Sequence, residues 1–252
     1  MKLADNVTII TGGGKGVGYG IAQAFAQEGS NLVITGRHEE TLKKAKENLE
    51  KDFGIKVAYF VADGGNQEEV NKVVEGAVKE FGKINTLINN AQASASGVML
   101  ADHSKEQFDL AIDTGLYATF YYMKACYPYL KETKGSVINL ASGAGISGKP
   151  GQSSYAAAKE GVRGMSRVAA TEWAKDGVRV NVILPLAMTE QLTAWKQAYP
   201  DVFAKTIQGI PLGRFGDPKN DIGRPAVFLA SEDASYVTGQ CLELQGGAGL
   251  RP

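Results

Sequence analysis

Hydrophobic positions along the chain fall into two alternating patterns. Short runs rich in β-branched residues predict seven strands at residues 6–11, 31–35, 56–62, 84–89, 135–142, 178–184 and 240–244. Stretches with a period near 3.6 residues predict helices at residues 17–28, 39–52, 67–81, 105–131, 153–175 and 218–231. Helices of this length between strands indicate right-handed βαβ crossovers. The expected fold class is therefore α/β: a single-domain, doubly wound, seven-stranded parallel sheet with helices on both faces.

One segment departs from this alternation. Residues 186–216 follow the sixth predicted strand and contain the apolar and aromatic stretch TAWKQAYPDVF. Ligands of parallel sheets bind beyond the carboxyl ends of the strands, so this segment is predicted to be a lid over a substrate. Trp195, Tyr199 and Phe203 are four residues apart, which predicts one shared helix face. That face either covers a bulky substrate or packs on the protein's own core.

Composition limits the classes of partner. With 252 residues, 44% of them hydrophobic, residues 1–252 have the size of one domain around one large core. The 27 basic and 27 acidic side chains balance, so no excess charge attracts nucleic acid or an anionic membrane. The expected partner is therefore a small molecule.

Cysteines and histidines are few. Cys126 and Cys241 lack the spacing of a metal site and are typical of a reduced cytoplasmic protein. His38 and His103 lie in polar stretches and are predicted to be solvated surface residues, so no metal site is expected. The chain starts without the apolar core of a signal peptide, and no run of 18 apolar residues occurs. We therefore expect a cytoplasmic protein without a membrane segment.

A glycine-rich loop follows the first predicted strand directly. The sequence TGGGKGVGYG at residues 11–20 has the spacing T-G-x-x-x-G-x-G instead of G-x-G-x-x-G. Glycines and a helix N-terminus let backbone N–H groups approach a pyrophosphate, which predicts a dinucleotide site. A plain strand-to-helix turn is the alternative. The predicted cofactor contacts in this loop are Thr11, Gly12, Gly14, Lys15, Gly16, Val17 and Gly18.

The end of the second strand favours one cofactor. Many NAD-binding folds carry an acid there that binds the ribose 2′-hydroxyl, but this strand ends in Thr35, Gly36 and Arg37. Arg37 and Lys15 offer two cations to a 2′-phosphate, which predicts NADP(H) in preference to NAD(H). Most surface cations are merely solvated, and that alternative stays open.

Two Tyr-x-x-x-Lys spacings occur in predicted helices: Tyr127 with Lys131, and Tyr155 with Lys159. On a helix, either ammonium lies near its phenol and favours the phenolate, which lowers the tyrosine pKa. Only Tyr155 begins a helix just after a strand whose carboxyl end carries Ser142. Because a parallel sheet gathers strand ends and helix starts at one edge, Ser142, Tyr155 and the glycine loop are expected to meet there. Both hydroxyls then contact one carbonyl oxygen.

These motifs, together with NNA at residues 89–91, closely resemble the short-chain dehydrogenases/reductases in their single-domain form of about 250 residues. The nearest general likeness is to 3-oxoacyl-thioester reductases. The resemblance extends from Thr11 to Gly247. It implies a Rossmann-type sheet in which Tyr155 is the general acid/base, Lys159 binds the nicotinamide ribose and lowers the tyrosine pKa, and Ser142 orients the carbonyl.

The resemblance also implies further cofactor contacts and an oligomer. It places Asp63 at the adenine, and Asn89 and Ala91 along the cofactor groove. It places Pro185 beside the nicotinamide and Thr189 at the carboxamide. A homotetramer built through the fourth and fifth predicted helices is implied as well.

Three residues depart from the family pattern. Gly115 stands where the family has an asparagine that holds a water for proton relay, so the relay is in question. NNAG becomes NNAQ, which directs the Gln92 amide either toward nicotinamide and substrate or toward solvent. Leu186 follows Pro185 in place of a glycine and adds bulk. Gln92, Leu186 and Trp195 are accordingly the predicted substrate contacts.

The predicted function is NADP(H)-dependent interconversion of a secondary alcohol and a ketone. The first alternative is a cofactor-binding regulatory protein with weak or no turnover, which the three departures motivate. The second is a structural oligomer whose glycine loop is idle. Steroid, sugar and small-ketone reductases share these motifs, so the sequence does not choose a substrate.

Overall fold

Seven parallel strands form one sheet in the order β3-β2-β1-β4-β5-β6-β7 in the computed structural model, which describes residues 1–249. All seven predicted strands are confirmed, with ends that differ from the prediction by at most two residues. The strands are β1 (Val7–Thr11), β2 (Asn31–Gly36), β3 (Val57–Val61), β4 (Thr86–Asn89), β5 (Ser136–Leu140), β6 (Arg179–Pro185) and β7 (Cys241–Leu244).

Helices connect the strands. The α-helices of the described residues are α1 (Gly16–Gln27), α2 (Glu39–Phe53), α3 (Gln67–Phe81), α4 (Lys105–Ala111), α5 (Ala118–Thr133), α6 (Gly143–Ser147), α7 (Ser153–Trp173), α8 (Glu190–Ala198), α9 (Pro200–Gln208) and α10 (Arg224–Ala230). Shorter segments are 3₁₀ turns at Leu100–Asp102, Ala174–Asp176 and Glu232–Ala234, and π-helical turns at Ile112–Tyr117 and Pro218–Gly223. Within residues 1–249, no helix combines the length and apolar character that crossing a membrane needs.

Both faces of the sheet are covered. Successive side chains of β1 point to opposite sides: Ile10 joins the core formed with α1, α2 and α10, and Ile9 joins the core formed with α3, α5 and α7. All five residues of β1 are buried, as expected for a strand at the centre of a parallel sheet. The predicted doubly wound α/β architecture is therefore confirmed.

The helix predicted over residues 105–131 is not continuous. The π-helical turn Ile112–Tyr117 separates α4 from α5, and it contains the buried Gly115. Glycine is a poor helix former, and the Gln92 side chain lies against its Cα. A π turn widens the helix locally where a neighbouring group must be accommodated.

The insertion at residues 186–216 contains two short helices instead of one. Pro200 has no N–H to donate and disfavours the helical conformation of Tyr199, so α8 ends and α9 begins there. The predicted single face for Trp195, Tyr199 and Phe203 is therefore wrong. Tyr199 is 57% exposed, whereas the Trp195 and Phe203 rings pack 5.7 Å apart in a small core of the insertion.

Candidate active site

The carboxyl ends of β1 and β4 lie side by side at the point where the strand order reverses. Thr11 ends β1, and Asn89 ends β4. In open α/β sheets this reversal opens a crevice that binds ligands. The two segments that leave these strands, the glycine loop and Asn90–Ala91, therefore form the floor of the candidate site.

Asn90 fastens the two segments together. Its side-chain Nδ2 donates to the Thr11 carbonyl oxygen at 2.8 Å. Thr11 Oγ1 in return accepts from the backbone N–H groups of Asn90 at 2.9 Å and Ala91 at 3.0 Å. From the sequence, Asn89 and Ala91 are predicted cofactor contacts, whereas Asn90 is not. The feature that could have identified Asn90 is an amide side chain directly after a buried strand.

The glycine loop forms a close-fitting cradle. Gly12 and Gly16 adopt positive φ angles of 66° and 57°. A Cβ atom at Gly18 would lie 2.4 Å from the Gly12 carbonyl oxygen. Lys15 precedes α1 without a side-chain cap, so the first N–H groups of α1 are free for an anion. These features fit the pyrophosphate of a dinucleotide.

Beside the cradle, four of the predicted cofactor residues and Gly36 line one cavity. Thr11, Gly12, Gly36, Asn89 and Ala91 share a cavity, and the buried Asn89 Oδ1 has no hydrogen-bond partner within residues 1–249. An unpaired buried oxygen of this kind fits a ligand that supplies a donor.

Asp63 lies between Ala62 and Gly64, which line the same cavity. The Asp63 carboxylate accepts from Gly65 N at 2.9 Å, and the Asp63 N–H donates to Glu69 at 2.8 Å. Its position at the edge of the groove is thus fixed by its own turn.

Lys15 and Arg37 are exposed beside the cradle. In the part of the chain that the structure describes, neither forms an ion pair with a carboxylate. Arg37 follows Gly36 at the end of β2, as predicted.

Ser142 and Tyr155 lie together, as the sequence predicts. Ser142 caps α6, where its Oγ accepts from Ala144 N at 3.2 Å. Burial raises the pKa of the Tyr155 phenol above its usual value, and the nearby Ser142 side chain lowers it by a smaller amount. The Ser142 and Tyr155 side chains thus lie near each other at the carboxyl edge of the sheet.

Lys159 is buried beside this pair, with 5% of its surface exposed. Its Nζ donates to the Leu140 carbonyl oxygen at 2.7 Å and lies 5.7 Å from the centre of the Tyr155 ring. Burial lowers the pKa of Lys159 to about 8. The expected lowering of the Tyr155 pKa by Lys159 is therefore not found, because the ammonium binds a backbone carbonyl and burial dominates at the phenol.

A row of buried amides and hydroxyls holds α7 against the sheet. Asn89 Nδ2 donates to Asn139 Oδ1 at 2.8 Å, and Asn139 Nδ2 donates to Ser166 Oγ at 2.8 Å. Ser166 Oγ donates to the Val162 carbonyl oxygen at 2.6 Å. This network fixes the register of Lys159, and sequence reasoning did not find it because its members are far apart in the chain.

His103 is not a solvated surface residue. Its Nε2 lies 2.9 Å from Ser154 Oγ, and its Nδ1 lies 3.2 Å from Ser153 Oγ. The ring is half-buried against Phe108. His103 thus braces the first turn of α7, immediately before Tyr155.

The other Tyr-x-x-x-Lys pair, Tyr127 and Lys131, binds a carboxylate away from the candidate site. Tyr127 Oη donates to Asp176 at 2.5 Å, and Lys131 Nζ pairs with the same carboxylate at 2.8 Å. The hydrogen bond to Asp176 raises the pKa of Tyr127. Asp176 lies in the 3₁₀ turn after α7, at the end of that helix opposite Tyr155. The prediction that Tyr127 stays away from the site is confirmed.

The residues after β6 approach the cradle from the other side. Pro185 ends β6, and Thr189 caps α8 with its hydroxyl, which accepts from Leu192 N at 3.3 Å. The Thr189 methyl group lies 3.9 Å from the position of a Cβ at Gly16. Leu186 is held in the backbone between Leu244 and Gly216, and like Trp195 its side chain packs in the small core of the insertion.

Comparison with known proteins identifies relatives along nearly the whole chain. A family model described as enoyl-(acyl carrier protein) reductase matches residues 12–249. A 12α-hydroxysteroid dehydrogenase from a Clostridium species is 58% identical, over 98% of this chain and 97% of that protein. A 3-oxoacyl-[acyl-carrier-protein] reductase from Thermotoga maritima is 36% identical, over 98% of this chain and 99% of that protein.

Solved structures also match this chain along nearly its whole length. The structure of levodione reductase matches with a TM-score of 0.92 and 31% identity, covering 98% of each chain. The structure of NAD⁺-bound xylitol dehydrogenase matches with a TM-score of 0.92 and 27% identity, covering 98% of this chain and all of that one. The chain therefore belongs to the short-chain dehydrogenase/reductase family and is an NAD(P)-dependent oxidoreductase that interconverts a secondary alcohol and a ketone.

Proposed function

We propose that this protein is an NADP(H)-dependent hydroxysteroid dehydrogenase that interconverts a 12α-hydroxyl and a 12-oxo group. The observation that carries the proposal is the 58% identity with a 12α-hydroxysteroid dehydrogenase over almost the full length of both chains. The second candidate function is reduction of 3-oxoacyl-[acyl-carrier-protein], and it rests on a relative at 36% identity.

Tyr155, Ser142 and Lys159 have different roles in the proposed reaction. In reduction, Tyr155 donates its proton to the carbonyl oxygen, and the Ser142 hydroxyl donates a hydrogen bond to the same oxygen. Lys159, whose ammonium lies 5.7 Å from the centre of the Tyr155 ring, binds the nicotinamide ribose. When bound in the glycine cradle, NADP(H) supplies or accepts the hydride. In oxidation, the same residues act in reverse order.

Exposed apolar residues beside Tyr155 support a bulky apolar substrate. Val98 pairs with Gln152, just before α7, and this brings the following Met99 and Leu100 to the same side of the site. Met99 is 56% exposed and Leu100 is 72% exposed. Apolar side chains exposed together at the rim of a site are typical of a surface that binds an apolar ligand. The steroid ring system has this character.

The insertion contributes the opposite wall of the site in this proposal. Thr189 contacts the nicotinamide end, and Leu186 lies beside it as a substrate contact. Trp195 acts through the packing of α8 on α9, since its ring lies against Phe203. Residues 186–216 thus form a lid with its own small core.

The cofactor preference rests on charge. Lys15 and Arg37 are two exposed cations without a carboxylate partner in the described chain, and the end of β2 carries no acid. We expect NADPH to bind at least about tenfold more tightly than NADH. Lys15→Ala and Arg37→Ala each weaken NADPH binding by about tenfold and leave NADH binding unchanged, measured by fluorescence titration. Lys79→Ala, an exposed cation on α3, is the matched control.

Substrate choice is tested by NADPH consumption. Purified protein is assayed with a 12-oxosteroid, with its 3-oxo and 7-oxo isomers, and with a 3-oxoacyl thioester. The proposal expects kcat/KM for the 12-oxosteroid to exceed the others by about a hundredfold or more. A higher kcat/KM for the thioester would reject the proposed steroid substrate and support the second candidate function. Tight NADPH binding without turnover of any carbonyl would support the regulatory alternative.

We also propose that the protein is a homotetramer. Tyr117 and Phe120 on the π turn and α5, and Val168 on α7, are 47%, 42% and 56% exposed. Apolar side chains exposed on long helices support burial against other copies of the chain. Light scattering after size exclusion tests this, and a monomer at micromolar concentration would reject it.

A further inference from the structure

His103 directly precedes α4 and packs on that helix. Ser104 is the N-cap of α4: its hydroxyl accepts from Gln107 N, and the Gln107 side chain accepts from Ser104 N in return. The His103 ring lies edge-on to Phe108, with ring centres 6.2 Å apart. Packing between these two positions on either side of an N-cap fixes the direction in which the chain enters a helix. The ring is thus held in place from the α4 side.

Both ring nitrogens of His103 face the first turn of α7. Nε2 lies 2.9 Å from Ser154 Oγ, and Nδ1 lies 3.2 Å from Ser153 Oγ. Ser153 is the first residue of α7, and Tyr155 follows Ser154 directly. One side chain therefore joins α4 to the turn of helix that carries the proposed general acid/base.

Burial of Ser154 indicates the direction of one of these hydrogen bonds. Ser154 is 1% exposed, and within residues 1–249 the partner of its hydroxyl is His103 Nε2. A hydroxyl has one proton and two acceptor lone pairs, and an unpaired buried donor is rarer than an unpaired acceptor. Ser154 therefore donates to Nε2. The neutral ring then carries its proton on Nδ1 and donates it to Ser153.

Residues 97–103, termed the rim loop, are bound at both ends to the segment that leads into α7. At the first end, a backbone hydrogen bond of 2.8 Å joins Gly97 to Gly151, and a β-bridge at the next residues follows it. At the other end, His103 binds the two serines. The rim loop is therefore fixed to the start of α7 at two points.

The chain before the rim loop is held by other contacts. Ala93 N donates to Thr114 Oγ1 at 3.0 Å. The Gln92 amide is buried against Gly115, where a Cβ atom would lie 2.7 Å from Gln92 Cδ. Within the described residues, the side-chain hydrogen bonds of the rim loop itself are the two of His103. The far end of the loop therefore depends on this one side chain.

The rim loop carries two exposed apolar side chains between its attachments. Met99 is 56% exposed, and Leu100 is 72% exposed. Ordering a mobile side chain on binding reduces affinity, whereas a side chain on a loop that is already fixed loses less freedom. A fixed rim loop therefore favours binding of a ligand with a large apolar body.

We propose that His103 is a positioning residue that determines substrate specificity: it holds the rim loop against α7, so that Met99 and Leu100 bind the apolar body of a bulky carbonyl substrate. The proposal rests on the proposed function for the apolar class of substrate. It extends that function by naming the side chain that fixes this wall of the site. A small ketone reaches Tyr155 without contacting the rim loop and gains nothing from His103.

The chemical step does not depend on the rim loop in this proposal. Lys159 and Ser166 hold α7 against the sheet through hydrogen bonds of 2.7 and 2.8 Å, so Tyr155 keeps its place when the loop loosens. Contacts between the loop and an apolar substrate are alike in the ground state and the transition state. Their loss therefore raises KM and leaves kcat nearly unchanged.

Two substitutions remove the hydrogen bonds and leave the packing largely intact. His103→Phe keeps an aromatic ring beside Phe108 without either nitrogen, and Ser154→Ala removes the buried hydroxyl. We expect His103→Phe to raise KM for a bulky carbonyl substrate by about tenfold, and Ser154→Ala to raise it by a smaller factor. In both variants kcat, the Kd for NADPH and the kcat/KM for cyclohexanone stay within about twofold of wild type.

Rescue and control variants separate positioning from general damage. His103→Gln places an amide near the position of Nε2 and should recover most of the lost affinity, because it can accept from Ser154. Asp102→Asn, an exposed change in the same loop, should behave as wild type. The variant with both His103→Phe and Ser154→Ala should have the KM of His103→Phe, since one hydrogen bond is lost only once. Losses that multiply in that variant overturn the proposal.

The free protein gives an independent readout. The chain has two histidines, so the ¹⁵N-histidine spectrum shows two rings, and those of His103 remain in His38→Gln. At about pH 8 the proposal expects a neutral ring protonated on Nδ1. The Asp102 amide, bonded to the Met99 carbonyl oxygen at 3.0 Å, should exchange with solvent at least about tenfold faster in His103→Phe. A ring protonated on Nε2, or unchanged exchange, overturns the proposal.

The panel of carbonyl compounds separates this inference from the proposed function. If a bulky carbonyl other than the 12-oxosteroid is the best substrate, the proposed function is rejected, and the KM effect is measured with that compound. If no carbonyl is turned over, amide exchange in the free protein decides the inference. Steroid turnover with an unchanged KM in His103→Phe rejects the inference alone. Should His103→Phe not fold, Ser154→Ala serves for the same measurements.

Discussion

The Lys159 ammonium donates to the Leu140 carbonyl oxygen at 2.7 Å while it lies 5.7 Å from the centre of the Tyr155 ring. The lysine is therefore positioned by the backbone of β5 as well as by its helix. Because β5 also carries Asn139, bound to both Asn89 and Ser166, the distance between lysine and tyrosine depends on the sheet. Helical spacing alone does not create this geometry, as the Tyr127 pair shows.

Replacing Tyr155 with phenylalanine removes the proton that the carbonyl oxygen receives. We expect kcat to fall by about 10²- to 10⁴-fold, with the Kd for NADPH within about twofold of wild type. Steady-state assays and cofactor titration measure both quantities. Tyr127→Phe is the matched control, because its hydroxyl binds Asp176 far from the site, and its turnover is expected to stay at the wild-type level. Undiminished turnover in Tyr155→Phe would reject the assigned role.

Lys159 makes stability depend on pH with a definite sign. Its pKa is about 8 in the folded protein and 10.5 in the unfolded chain, so the unfolded state holds the proton more tightly. The burial cost is present in full below pH 8 and disappears as the pH rises toward 10.5. Relative to Lys159→Met, the wild-type free energy of unfolding should rise by roughly 3 kcal/mol across that window.

Urea unfolding of both proteins at pH 7.5 and pH 10 measures this difference. Tyr155 is present in both proteins, so its own titration cancels to first order. A difference that stays flat or falls with pH would show that Lys159 is not buried in its charged form.

The glycine cradle should not tolerate a methyl group at Gly18. The new Cβ would lie 2.4 Å from the Gly12 carbonyl oxygen, a backbone atom that cannot rotate away. We expect Gly18→Ala to weaken NADPH binding by at least about tenfold and to lower stability by about 1–3 kcal/mol. Gly164→Ala in α7 meets nothing within 4 Å and should instead stabilise the protein by about 0.5–1 kcal/mol. Calorimetric titration and denaturant unfolding compare the two.

Stability should depend on the Phe203 side chain in the small core of the insertion and hardly at all on the Tyr199 side chain. Phe203 is buried between Trp195 and Phe215, with ring centres 5.7 and 5.5 Å away. We expect Phe203→Ala to destabilise the protein by about 3 kcal/mol. Tyr199→Ala, at an exposed break between helices, should change stability by less than about 0.5 kcal/mol. Equal losses in both variants would show that the aromatic residues form one face after all.

Elements with a strong repeating pattern could be predicted from the sequence. The seven strands, the cradle and the meeting of Ser142 with Tyr155 follow from hydrophobic period and from the rule that strand ends share an edge. The sequence predicts one continuous helix over residues 105–131, because a π turn differs from an α turn by one residue and leaves the hydrophobic pattern almost unchanged.

Contacts between distant residues could not be predicted in this way. Asn90, Asn139 and His103 act through partners 50 or more residues away, or across two elements, so no local spacing reveals them. The predicted lowering of the Tyr155 pKa is wrong for a related reason. The effect of a neighbouring charge was visible in the sequence, whereas the depth of burial became known only with the fold.

The hydrogen bonds between Asn90 and Thr11 have a consequence for the evolution of this enzyme. These bonds join the glycine loop to the segment that follows β4, so changes in either segment are transmitted to the other. Lys15 and Arg37 lie outside this linkage, on the exposed rim. Under the proposed preference for NADP(H), a lineage can exchange one nicotinamide coenzyme for the other by surface substitution alone, while the chemical step is inherited intact.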